Sequence, residues 1–89
     1  MNMNAEALIA ERGQTHGSFA ENARISRNIK AMMQNSPGWD LLSSVQHEVL
    51  DMVALKVSRI LSGNPNEADH WRDIAGYATL AVKEIEGAA

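Results

Sequence analysis

No cysteine occurs in the 89 residues, so disulfides and thiolate metal sites are excluded and packing alone must hold the fold. A chain of this kind suits a reducing, cytoplasmic compartment. Aromatic residues are scarce, with one Phe, one Tyr and two Trp. The core must therefore be built from Leu, Ile, Val, Met and Ala, a composition that suits helix packing. Cationic excess is absent too: eight basic side chains face eleven acidic ones, for a formal charge of −3. Binding a phosphate backbone needs Lys and Arg clustered on one face, so no nucleic-acid partner is expected. No segment approaches the roughly 20 apolar residues that cross a bilayer, so no membrane partner is expected either. The opening Met1-Asn2-Met3-Asn4 carries no basic region, which argues against a secretory leader.

Hydrophobic residues make up 45% of the chain, enough for one small domain. A domain of this size buries only roughly 60–65% of the surface its unfolded chain exposes, so self-association is expected. No internal repeat, low-complexity tract or linker divides it, and residues 1–89 read as a single all-α domain, with 1–17 its least specified part. Short clusters of Gly, Pro, Asn and Ser punctuate four segments. The first, Asn4 to Arg12, should stop at Gly13. The second starts at Ser18-Phe19-Ala20-Glu21, spaced as a capping box, and carries Ile25, Ile29, Met32 and Met33 at helical intervals until Asn35-Ser36-Pro37-Gly38.

The third segment, Leu41 to Ser62, has no Gly or Pro inside it and is the most apolar, so it should be the central helix. Trp39, just before it, should cover an end of the bundle. After the Gly63-Asn64-Pro65-Asn66 turn, Asn66 should cap a fourth helix running to about Glu86. So short a connection makes the third and fourth helices antiparallel neighbours.

The chemistry-bearing residues lie on these two helices. Glu48 and Asp51 are three apart and share a face; like charges at that spacing repel by a few tenths of a kcal/mol unless a cation sits between them. Asp69 and Asp73 are four apart on the fourth helix and share a face with Tyr77. Oxygen ligands from two helices select Mg²⁺ or Mn²⁺. The bland alternative is that these carboxylates form a solvated face, with Asp69 merely favourable in a first turn. The antiparallel register favours Asp73 over Asp69, since Asp69 lies a further turn from Asp51. Lys56 and Arg59 could neutralise phosphates or pair with Asp51 and Asp73.

The run Glu48-Val-Leu-Asp51, then Lys56, Arg59, a Gly-Asn turn and Asp69-His-Trp-Arg-Asp73-Ile-Ala-Gly76-Tyr77, resembles the MazG-like all-alpha nucleoside triphosphate pyrophosphatases. It is closer still to the small MazG-related proteins of phages and prophages, in which a stretch like Glu11-Arg-Gly-x-x-His16-Gly-Ser-Phe19 recurs. The resemblance spans about Glu11 to Leu80. It implies a compact four-helix bundle, a homo-oligomer, and Mg²⁺-dependent hydrolysis of a nucleoside triphosphate to the monophosphate and pyrophosphate.

Carried over position by position, Glu48, Asp51 and Asp73 become catalytic, and these three with Asp69 become metal ligands. Lys56 and Arg59 become phosphate contacts. The family pattern breaks at His70, where an acidic residue is expected. His16, Phe19, Asn22 and Tyr77 are the substrate-binding candidates: His16 against a phosphate or base, Phe19 stacking on a base, Asn22 reading its edge. The alternative for the N-terminal stretch is a glycine-shaped turn with Phe19 packed beneath the second helix. The competing overall reading is a noncatalytic helical oligomer that binds a nucleotide or a host protein.

Overall fold

The computed structural model of the chain describes residues 4–16 and 18–87, without the side chains of residues 13–16. The chain is all-helical. The described residues form four α-helices, α1 (Ala5–His16), α2 (Phe19–Gln34), α3 (Ser44–Ser62) and α4 (Ala68–Ile85), with a 3-10 helix at Pro37–Leu41. No strand occurs among the described residues.

Local chemistry sets most of the boundaries. The Ser18 hydroxyl accepts from the Glu21 amide at 3.2 Å, as its spacing predicts. The reciprocal half of that box is not made, because the Glu21 carboxylate is engaged by Arg24 one turn on. α3 begins at Ser44 rather than Leu41, since Pro37 starts a separate 3-10 turn. A complete capping box then forms, with the Gln46 amide donating to Ser43 Oγ at 3.1 Å and the Ser43 amide to Gln46 Oε1 at 2.9 Å. α1 does not stop at Gly13 but continues to His16. Glycine only weakens a helix interior, by about 1 kcal/mol against alanine, and compels a stop only where the chain turns left-handed. The cap of α4 is Glu67, without a side-chain bond; the expected Asn66 instead donates its amide to Asn64 Oδ1 at 2.9 Å.

α3 is the central helix. It packs against α4 and α2, α1 rests more lightly on α2 and α3, and α2 and α4 share no comparable contact. The α2–α3 seam is polar at its heart. Asn22, Ser26, Ala54 and Ser58 are buried there, Ser58 completely, and its hydroxyl donates to Asn22 Oδ1. The same hydroxyl lies 2.7 Å from the Leu55 carbonyl, a second acceptor. Trp39 does cover an end of the α3 packing: its ring stacks on His47 at 4.2 Å, and His47 Nε2 lies 2.7 Å from the Trp39 carbonyl.

Because α3 is flanked on both sides, little apolar surface is enclosed. Among the described residues only Val49 and Ala54 are buried apolar side chains. The chain exposes 6368 Å², against about 5,100 Å² for a monomer of this mass. Its radius of gyration is 15.2 Å, where about 12 Å is usual for the length.

Such dependence on a buried polar pair makes a definite expectation. Replacing Asn22 by Ala removes the acceptor that the Ser58 hydroxyl uses across the seam and leaves it only the Leu55 carbonyl, and urea denaturation should show a loss of about 1 kcal/mol. A loss indistinguishable from that of an exposed α2 residue such as Arg27 would mean that the seam does not rest on this bond.

Candidate functional site

The turn between α3 and α4 fixes which charges meet. Lys56 Nζ lies 2.9 Å from Asp73 Oδ2, and the Lys56 side chain retains only 12% of its exposure. Asp73 is held below its ordinary value, first by the hydrogen bond from Lys56, partly opposed by desolvation, and aided by the charges of Lys56, His70 and Arg59. The antiparallel register therefore places Asp73 beside Lys56 and Arg59. Lys56 is five residues, about 7.5 Å, beyond Asp51 along α3.

The four carboxylates are distributed, not gathered. Glu48 is exposed and Asp51 half-buried on α3. Asp73 is engaged by Lys56. Asp69 is exposed and bound to Arg72 one turn on, at 2.8 Å. Among the described residues no three His, Cys, Asp or Glu side chains converge closely enough to hold a metal ion. Asp51 is nonetheless distinctive, because its Oδ1 is buried and has no hydrogen-bond partner. Buried carboxylate oxygens are almost always satisfied, so an orphan of this kind asks for a cation, a water or a ligand group.

The remaining candidates are scattered. The His16 side chain lies outside the described residues. Phe19 is 81% exposed and is not packed beneath α2; it follows the Ser18 cap directly as the first residue of α2. Asn22 is buried and its amide oxygen accepts from the Ser58 hydroxyl, which occupies the atom that would have read a base edge. Tyr77 is half-buried.

Two participants, His70 and Glu84, escape a motif-based reading, and Arg59 does not. His70, where the family pattern breaks, is 3% exposed, a buried member of α4's inner side. Arg59 Nε and Glu84 Oε2 are also buried without a hydrogen-bond partner. The signal for His70 and Glu84 was present: residues 70, 74, 77, 81 and 84 repeat at intervals of four and three, all buried or half-buried, which marks one helical side facing a neighbour.

The chain belongs to the DUF6378 family, described as a domain of unknown function, whose model matches residues 1–85. No curated protein and no solved structure matches it.

The Lys56–Asp73 pair carries a pH signature. A carboxylate whose folded pKa is depressed contributes stability that is present above its ordinary pKa and is lost as pH falls through the folded value. The Asp73 carboxyl should titrate by NMR with a midpoint below 3.8, its ordinary value, and Lys56→Gln should move that midpoint upward. An unmoved midpoint would dissolve the pair as a solution feature.

Proposed function

We propose that this member of the DUF6378 family is a Mg²⁺-dependent nucleoside triphosphate pyrophosphohydrolase that works as a homo-oligomer, with Glu48 and Asp51 as its protein metal ligands. The observation that carries the reading is the buried, unpartnered Oδ1 of Asp51 one turn from a second carboxylate. Two carboxylates are chemically sufficient, because Mg²⁺ keeps several waters and commonly takes one or two protein oxygens together with substrate phosphates. Oxygen donors also select Mg²⁺ or Mn²⁺ over softer ions. The resemblance to MazG-like proteins at Glu48-Val-Leu-Asp51, Lys56, Arg59 and Asp73 supports the same assignment.

A bound Mg²⁺ would neutralise phosphate charge and make water a better nucleophile. The chain's own residues then have defined tasks. Lys56 and Arg59 supply cationic contacts for the triphosphate. Asp73 fixes the Lys56 ammonium at 2.9 Å, so that its part is to position Lys56, and it joins the metal shell only by releasing that partner. Asp69, paired with Arg72 in solvent, has the weakest claim. Water oxygen attacks the alpha phosphorus, the bond to the bridging oxygen breaks, and nucleoside monophosphate and pyrophosphate leave. Phe19, fully available on the surface, is the residue free to stack on a base, with Tyr77 and His16 as further contacts.

A second reading keeps the oligomer and removes the chemistry: a noncatalytic helical module that binds a nucleotide or a host protein. It is favoured by the engagement of Asp69 and Asp73 with basic partners. Pyrophosphate release from a panel of nucleoside triphosphates separates the two. The pyrophosphohydrolase should be Mg²⁺-dependent, and Asp51→Asn should lower turnover by about 100-fold or more while abolishing any rise of the thermal midpoint with Mg²⁺. A folded wild-type chain that releases no pyrophosphate from any common nucleotide leaves the noncatalytic reading in possession.

A further inference from the structure

Each helix of the α2–α3–α4 layer has its phase fixed by a contact: Ser58 to Asn22 on one side of α3, Lys56 to Asp73 on the other. Counting about 100° per residue from Asn22 on α2, from Ser58 on α3 and from the inner stripe 70, 74, 77, 81 and 84 on α4 assigns the side chains outside the seams to one of the layer's two faces. Glu48, Arg59 and Asp73 fall toward one, and Asp51, only about 20° from Ser58, borders it beside α2. Met32 of α2, Leu50 and Leu61 of α3, and Trp71, Val82 and Ile85 of α4 fall toward the other. These six are 75%, 37%, 66%, 54%, 50% and 68% exposed with α1 in place, so α1 does not cover them. On α4 the apolar stripe Trp71, Ala75, Ala78, Val82, Ile85 repeats at intervals of four and three, and each member follows directly after a residue of the inner stripe that faces α3. α4 is thus patterned for two helical neighbours and has one within the chain.

We infer that the apolar face of this layer is the interface with a second copy of the chain, the two layers packing face to face and leaving the Glu48–Asp51 and Lys56–Asp73 faces pointing outward. The inference rests on the oligomeric half of the proposed function and not on its chemistry. A second copy is the occupant for two reasons. The chain's broad outline, 45 × 29 Å, leaves room for the ~800 Å² per partner typical of a specific dimer. The surface the monomer exposes beyond the usual amount for its mass is of the same order. A two-fold pairing also lets the α3 and α4 stripes meet their own kind, apolar against apolar, across one self-complementary patch.

Sedimentation equilibrium of the wild-type chain and three single variants tests this. Wild type should be a dimer at micromolar concentration. Val82→Glu and Leu50→Glu, which bury an unpaired carboxylate in the interface, should each raise the dissociation constant by about 100-fold. Leu80→Glu is the control: Leu80 is 54% exposed, like Trp71, but its phase puts it on the other face, and its dissociation constant should stay within about twofold of wild type. A monomeric wild type overturns both the oligomer and this interface. A dimer that resists Val82→Glu and Leu50→Glu, or yields to Leu80→Glu, keeps the oligomer and overturns the interface. Should a face variant fail to fold, the methyl resonances of the wild type decide. Those of Val82, Leu50 and Ile85 should shift on dilution while those of Leu80 do not, and the reverse pattern rejects the proposal.

Discussion

The packing of α3 between two neighbours is the constraint on which the rest depends. A helix flanked on opposite sides spends its seams on α2 and α4 and leaves two faces, one of them partly covered by α1. The α2–α3 seam is partly polar, with Ser58 wholly enclosed and bonded to Asn22. Side chains of this size let the helix backbones approach closely, and the buried bond offsets what removing two polar groups from water would cost. It also fixes register, since a slip along either helix would leave the buried Asn22 amide oxygen without the Ser58 hydroxyl.

From that register the electrostatics follow. With α3 and α4 joined by a short turn, Lys56 meets Asp73, while Asp69, nearer the turn, is left to pair with Arg72 on its own helix. Asp51, farther from the turn, has no such partner for its buried Oδ1. The acidic residues that look alike in a string of letters therefore differ physically. One is neutralised in a half-buried pair, one is a solvated surface pair, and one keeps an unsatisfied oxygen. That difference, more than the number of carboxylates, directs attention to Asp51 and Glu48.

Much of the secondary structure was legible from local rules. Ser18 as a cap, Pro37 as a break, the uninterrupted apolar run of α3 and the Gly63-Asn64-Pro65 turn each act over a few residues, and local physics decided them. Gly13 shows where such rules weaken, because a glycine permits a stop without requiring one. Ser43-Ser44-Val45-Gln46 was an equally readable capping box, hidden because the apolar Leu41 and Leu42 before it extend the same hydrophobic run.

The sequence by itself determined that the chain is helical, that α3 is central and adjacent to α4, and that no cysteine chemistry is available, because periodicity, turn residues and composition act locally or as totals. Only the tertiary structure decided which partner each charge takes. Asn22 became a buried acceptor for Ser58 and Asp73 the partner of Lys56, because pairing depends on the rotation and register of one helix against another. A one-residue step along a helix turns a side chain by about 100°, so Met33 faces inward while Met32 stands in solvent, a distinction that composition and motif spacing do not contain.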